Sequence, residues 1–340
     1  MKITLLTTGG TIASVDSEKG LQPGLTGEQL LRACPDLMGF EHDVAVVDLM
    51  SKDSSNMHPS DWLSMADGIR QNAPLSDAVV MLHGTDTMAW TASALSYLLN
   101  DVPVPVVLTG SMLAAEAPGS DASANIYAAF HFALQLAMYK RRGVSVAFAG
   151  LLLHGPRVTK IDSRRKNAFI GVDYPLLGEM KDKGTHKVAW LTAQVPALSD
   201  ERPWGRTKTP AMETNIALVP IFPGLSARFL DTVADTAPKA VVLEGYGLGG
   251  VPFMGEDLLP AIGRGIAKGI PFVLRGQAPF GGADPAVYEV GRRALDLGVL
   301  SARDMTREAL MSKLMLLLPV SAPSDLEHRL GANLCDDVLQ

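Results

Sequence analysis

Short runs that are almost continuously apolar recur through the first half of the chain, at residues 2–7, 44–49, 78–83, 104–108 and 144–153. Strands covered on both faces carry such runs, because neither side of the pleat meets water. Between them, near 26–34, 60–72, 87–99 and 122–139, apolar positions recur at helical spacing. In the third of these segments Met88, Ala92, Leu95, Leu98 and Leu99 fall on one stripe, with Thr85 and Asp86 placed to cap the first turn. The alternation predicts an α/β domain, a mostly parallel sheet with helices on both faces. From about 180 to 214 both periods fade into polar, proline-containing sequence, the composition of a connecting segment. Strand-like runs resume at 216–221, 239–244 and 270–275, with helical patterns near 225–235, 256–268, 286–298 and 306–317. The expected division is a larger N-terminal domain over 1–190, a linker over 191–214 and a smaller C-terminal α/β domain over 215–340. No internal repeat or low-complexity tract interrupts it.

Composition narrows the function classes. With 340 residues, 47% hydrophobic and 19% charged, the chain is long enough for two buried cores. Its 30 basic and 36 acidic side chains alternate without long blocks, for a net charge of −6. Lys140-Arg141-Arg142 and Arg164-Arg165-Lys166 are therefore read as solvated faces, and no nucleic-acid partner is expected. Two cysteines, Cys34 and Cys335, are too few for a disulfide framework or a thiolate zinc site. The apolar start ahead of Gly9-Gly10 is too short for a signal segment, and no stretch is long enough to span a membrane. A soluble, cytoplasmic protein is the expectation.

Three predicted strand ends carry one kind of residue: Thr8-Gly9-Gly10-Thr11, His83-Gly84-Thr85-Asp86 and Thr109-Gly110-Ser111. In a parallel sheet these ends share one rim, where ligands bind in open α/β folds. Glycine lets backbone approach a ligand, and a helix starting near Thr87 aims free N–H groups at negative charge. A carboxylate or an oxyanion is the natural guest. Taken singly, each turn also reads as a tight turn with an N-cap, and Lys160, just past the fifth apolar run, reads as a surface lysine. Taken together, threonine, aspartate and lysine form a relay: a hydroxyl is a weak nucleophile until a base takes its proton, and a desolvated lysine can be that base.

The segments Thr7-Thr8-Gly9-Gly10-Thr11-Ile12-Ala13-Ser14 and His83-Gly84-Thr85-Asp86-Thr87-Met88 closely resemble the two signatures of the bacterial-type L-asparaginase family. Asp53-Ser54-Ser55-Asn56-Met57, Leu108-Thr109-Gly110-Ser111-Met112, Asp121 with Asn125, Val158-Thr159-Lys160 and Pro223-Gly224-Leu225-Ser226 follow in the family's order. The run 88–96 looks most like the cytoplasmic, type I branch. The resemblance implies hydrolysis of L-asparagine to L-aspartate and ammonia through an acyl-enzyme, with no metal or organic cofactor. It implies Thr11 as nucleophile and Thr85, Asp86 and Lys160 as the relay. It places Gly10, Ser54, Ser55, Gly84, Thr85, Asp86 and Ser111 around the substrate: Asp86 at the α-amino group, Ser54 at the α-carboxylate, the Ser111 carbonyl at the side-chain amide. Backbone N–H groups beside the two threonines supply the oxyanion site. A homodimer or a dimer of dimers is implied, because the family completes its sites at a dimer boundary.

The chain departs from the family in places. Many members carry a tyrosine in the lid after the first signature, but residues 15–24 have none, so Tyr288 is the candidate substitute. Ser55 and Asn56 replace a glutamine and an aspartate, Gly250 stands where an asparagine is frequent, and Gln277 stands near a cysteine of allosterically regulated relatives. Cooperativity is therefore not expected. Rival readings are a glutaminase-asparaginase of mixed specificity, a non-catalytic amino-acid-binding module and an amidotransferase subunit. The last of these carries an extra domain before its first signature, which here begins by residue 7. Gly245-x-Gly247-x-x-Gly250 matches a dinucleotide fingerprint in form, but Pro252 follows and Ala267-Lys268-Gly269 occupy the place of its acidic residue. No G-x-S-x-G elbow is present, and His83 reads as a turn support rather than a base.

Overall fold

A computed structural model describes residues 1–15, 20, 22–34, 37, 42–183, 186–202, 204 and 210–339. Residues 16–19 and 21 of the expected lid, and part of the expected linker, lie outside them. Contacts divide the chain into two compact units, Met1–Asp200 and Glu201–Gln340. Among the described residues no helix is long and apolar enough to cross a membrane.

The first unit is built on five parallel strands: β1 (Lys2–Gly9), β2 (Asp43–Lys52), β3 (Ala78–Leu82), β4 (Pro105–Thr109) and β5 (Gly143–Phe148), in the order β2-β1-β3-β4-β5. Every residue of β3 and β4 is buried, as their unbroken apolar runs require. The run at 144–153 is not one strand. Ala149 and Gly150, at φ of 49° and 79°, reverse the chain into β6 (Leu151–His154), antiparallel to β5. After a short pair formed by β7 (Val158–Lys160) and β8 (Phe169–Gly171), β9 (Gly178–Lys183) and β10 (His186–Leu191) extend the large sheet as an antiparallel edge. Part of the stretch whose periodicity fades is thus regular strand.

Helices α1 (Gly27–Arg32) and α4 (Ala122–Met138) share one core with Ile3, Leu5, Val80, Leu82 and Val107. Leu6, Val79, Met81, Val106 and Leu108, which alternate with those positions, are equally buried. They face the other layer, where α2 (Pro59–Asn72) packs on α3 (Met88–Leu98) and α3 on β4 and β5. The steps β3–α3–β4 and β4–α4–β5 run in the same direction with helices on opposite faces, so their hands differ. The α1 and α2 steps share the hand of α3, and with a right-handed norm of about 98% the exception is the α4 crossover.

The second unit has a parallel sheet of β11 (Ile216–Pro220), β12 (Ala240–Gly245), β13 (Phe272–Gly276) and β14 (Leu300–Ser301), in that order. It is joined by α5 (Ala227–Asp235), α6 (Leu259–Ala267), α7 (Glu289–Asp296), α8 (Arg307–Leu317) and α9 (Leu326–Gly331). Leu230, Leu243, Ile262 and Phe272 centre its core. The glycine run after β12 folds back on itself, Gly250 N–H donating to the Tyr246 carbonyl at 2.6 Å. The next helix opens only at Leu259, so no helix terminus meets these glycines and the dinucleotide reading fails.

Phe132 on α4 is fully buried, with its ring against Gly178 of β9. Replacing it with alanine is expected to cost about 3–5 kcal/mol through lost burial and a cavity. The urea midpoint of Phe132→Ala measures this, and an unchanged midpoint would contradict the packing described.

Candidate active site

The order β2-β1-β3-β4-β5 reverses between β1 and β3, the position at which open α/β sheets hold ligands in a crevice beyond the strand ends. At this point the β1–β2 register shifts between Thr7 and Gly9, and the chain turns through Gly10 into a short 3₁₀ turn over Thr11–Ala13. Gly10 has φ +82°, a conformation that L side chains rarely adopt. A Cβ on Gly10 would lie 2.3 Å from the Gly84 Cα, and one on Gly84 would lie 2.6 Å from Ser54 Oγ. The loops after β1 and β3 therefore meet backbone to backbone, and the loop after β2 meets Gly84 through the Ser54 side chain. Thr11 and Thr85 are the residues that follow the two touching glycines.

Lys160, at the end of β7, donates to Thr85 Oγ1 at 2.9 Å and to Asp86 Oδ1 at 2.7 Å. Ser55 Oγ donates to the other carboxylate oxygen of Asp86 at 3.3 Å. The lysine side chain is 14% exposed and the aspartate 59%, so the cation sits inward and the carboxylate faces solvent. Neither Thr85 nor Asp86 caps α3: Thr87 occupies the N-cap and no side chain bonds the first turn. The oxygens expected to cap that helix are committed to Lys160 instead. Thr87 Oγ1 turns to the Ser54 carbonyl at 2.8 Å, and Asp53 accepts from Ser55 N–H at 2.8 Å, which fixes the loop after β2.

The loop after β4 is held from α4. Asn125 donates to the Gly110 carbonyl at 2.9 Å and accepts from Ala149 N–H at 3.0 Å. Asp121 accepts from Met112 N–H at 3.0 Å and from Leu113 N–H at 3.2 Å. Ser111 is buried and its hydroxyl donates to the Leu113 carbonyl, so it presents backbone rather than side chain to a ligand. His83 is fully buried, with Nδ1 on the Gly84 carbonyl at 2.7 Å and Nε2 on Thr91 Oγ1 at 3.0 Å. Burial pushes its pKa down to about 4, opposed by the bond to Gly84. Both ring nitrogens are engaged, so His83 supports the turn and is not a base.

Gly10, Thr11, Ser54, Ser55, Gly84, Thr85, Asp86 and Lys160 thus share one rim, with Ser111 on the adjoining loop. Tyr288 lies in the second unit, exposed, at the start of α7. Trp62 and Thr91, which stand behind His83, have no motif that announces that task; Asp121 and Asn125 fall in the family's order, but nothing in the sequence marks them as holders of the 110–113 loop. Among the described residues no three His, Cys, Asp or Glu side chains are grouped as metal ligands would be. The rim offers two threonine and two serine hydroxyls, an ammonium, a carboxylate and backbone N–H groups, a set suited to acyl transfer from a small polar substrate.

Comparison with known proteins agrees with that chemistry: the chain belongs to the asparaginase family, matching the N-terminal asparaginase model over residues 2–193 and the glutaminase/asparaginase C-terminal domain over 215–325. It is 38% identical over 322 residues to an L-asparaginase of Thermococcus kodakarensis, covering 94% of this chain and 93% of that protein. It is also 33% identical to a subunit of the glutamyl-tRNA(Gln) amidotransferase of Pyrococcus furiosus, covering 93% of this chain and 72% of that one. Among solved structures, the thermostable L-asparaginase from T. kodakarensis superposes over the whole of both chains with a TM-score of 0.86 at 34% identity. L-asparaginase I from Vibrio cholerae superposes over 100% of this chain and 99% of that one, at 0.82 and 29%.

The buried histidine sets a pH dependence. Its pKa is about 4 folded against 6.5 for a free histidine, so between these values the unfolded chain binds more protons. The stability this contributes is whole above pH 6.5, is lost as pH falls toward 4, and amounts to about 3 kcal/mol. Imidazole NMR is expected to show one histidine untitrated down to pH 5. A His83 that titrates near 6.5 would contradict the burial.

Proposed function

We propose that this protein is a cytoplasmic L-asparaginase that hydrolyses L-asparagine to L-aspartate and ammonia. The observation that carries the reading is the Lys160 ammonium bonded to both Thr85 and Asp86, beside the contact that brings Thr11 to the same crevice. Thr11 Oγ1 attacks the side-chain amide carbon and its proton passes to the relay. Negative charge gathers on the carbonyl oxygen, opposite backbone N–H groups of the threonine turns. The C–N bond breaks as the nitrogen takes a proton and leaves as ammonia. Water then cleaves the threonine ester, which restores the hydroxyl and releases L-aspartate.

Asp86, with one oxygen on Lys160 and the other reached by Ser55, receives the α-ammonium group. Ser54 lies against Gly84 where it can meet the α-carboxylate, and the 110–113 loop offers a carbonyl to the amide nitrogen. Lys160, bonded to both Thr85 Oγ1 and Asp86, is the member of the relay placed to hand a proton on between them. A homodimer, or a pair of them, completes the reading, with an N-terminal domain over 1–190 and a C-terminal domain over 215–340. The second reading is an amidotransferase component, favoured by the likeness to the P. furiosus protein.

Ammonia release from free L-asparagine by the purified protein separates the two. Rapid release is expected, with Thr11→Val and Lys160→Met each lowering kcat/KM about 100-fold or more while the fold, followed by circular dichroism, is kept. One methylene distinguishes L-glutamine, and a pocket resolves that by about 10- to 200-fold. Equal rates on both amides would make the protein a glutaminase-asparaginase. No release from either would leave the amidotransferase reading.

A further inference from the structure

A file of three buried side chains runs from α2 to the turn that carries Thr85. Trp62 is 5% exposed, and Thr91 and His83 are 0% exposed. Trp62 Nε1 donates to Thr91 Oγ1 at 3.0 Å, Thr91 Oγ1 meets His83 Nε2 at 3.0 Å, and His83 Nδ1 meets the Gly84 carbonyl at 2.7 Å. The ends of the file decide its middle. An indole N–H only donates and a carbonyl only accepts, so Thr91 Oγ1 accepts the indole hydrogen bond and His83 Nδ1 must carry a proton. In the neutral ring Nε2 is then bare and accepts from the Thr91 hydroxyl. Every donor in the file is used once, and the histidine is confined to one tautomer.

The last bond of the file has a consequence on the far side of the Gly84–Thr85 peptide. No peptide bond in the described structure is cis. In a trans peptide the C=O and N–H point in opposite directions within one plane. With the Gly84 carbonyl drawn toward buried His83, the Thr85 N–H is turned away from it. Among the described residues that N–H has no acceptor, and neither has the N–H of Thr11, which opens its 3₁₀ turn. The two donors follow the two glycines that touch.

We propose that His83 is a positioning residue: by holding the Gly84 carbonyl it fixes the direction in which the Thr85 N–H is presented to the oxygen that becomes negative during attack on the amide. Thr91 and Trp62 act one step behind it, by fixing which ring nitrogen bears the proton. The inference rests on the hydrolase reading above. A donor aimed at an oxyanion acts in the transition state more than on bound substrate, so its misalignment lowers kcat and leaves KM nearly alone.

The test pairs kinetics with direct observation of the ring. Thr91→Val removes the hydroxyl, and Thr91→Ser retains it. For Thr91→Val, kcat on L-asparagine is expected to fall about 10- to 100-fold, less than the 10²–10³ for deleting a donor outright, with KM within about threefold. Thr91→Ser is expected to restore kcat to within about threefold of the parent. Long-range proton–nitrogen NMR of the unmodified protein is expected to show a histidine with protonated Nδ1 and bare Nε2, which Thr91→Ser preserves. An Nε2–H tautomer for His83 overturns the proposal even if Thr91→Val does not fold. A Thr91→Val protein with unchanged kcat, in a parent that Lys160→Met inactivates, overturns the positioning role and leaves the hydrolase reading intact. A parent that releases no ammonia removes the hydrolase reading and this inference with it.

Discussion

No side chain can stand between the backbones of Gly10 and Gly84, and the rest of the rim depends on that contact. At the reversal of strand order, where open α/β sheets hold their ligands, the loops after β1 and β3 come together through these two residues. A methyl group on Gly10 would fall 2.3 Å from the Gly84 Cα, and what it met there would be backbone, which cannot swing aside. The chain accepts the entropic cost of glycine at both places, about 0.5–1 kcal/mol each relative to alanine. In return Thr11 and Thr85 are held as neighbours by main chain alone, without a side-chain contact that substrate could displace.

The ion pair at the rim is a poor stabiliser and a good locator. Asp86 is mostly exposed, and pairs of that kind contribute only about 0–1 kcal/mol. What the pair does is fix the Lys160 nitrogen, 2.7 Å from the carboxylate and 2.9 Å from the Thr85 hydroxyl. Rigidity comes from bonds set further back. Thr87 holds the Ser54 carbonyl, Asn125 holds the Gly110 carbonyl, and His83 holds the Gly84 carbonyl. Each of the three anchors a loop by a main-chain oxygen, which leaves hydroxyl groups and N–H donors on the open side free for a ligand.

The parallel strands were legible because strands buried on both faces must be apolar throughout, and β3 and β4 are. The hairpin of β9 and β10 was hidden for the opposite reason. Its first strand, Gly178–Lys183, carries Glu179, Lys181 and Asp182; it pairs with β6 only at Gly178 and Glu179, so most of it has β10 alone as a partner and charge is tolerated there. The turn between β5 and β6 uses Ala149-Gly150 in place of the asparagine-glycine or aspartate-glycine pairs that announce a tight hairpin. At the rim, glycine and hydroxyl residues after several strands mark a site by themselves, because the ends of parallel strands share one edge of the sheet. The file behind it could not be read in that way. Thr91 lies eight positions after His83 and Trp62 comes from a different helix, so only the packing of α2 on α3 brings them together.

That both candidate hydroxyls belong to threonine and not serine fits a rim governed by its backbone. Two heavy atoms on Cβ restrict χ1, so a threonine hydroxyl points where its main chain directs it. Thr85 is 5% exposed, which further limits its rotation, and Lys160 marks the direction of its oxygen. Precision then passes along a short path, from the register shift at the end of β1, through the glycine contact, to the main chain of the two threonines and so to their oxygens. A site built this way tolerates change in the residues that merely line it far better than change in the two positions that have no side chain at all.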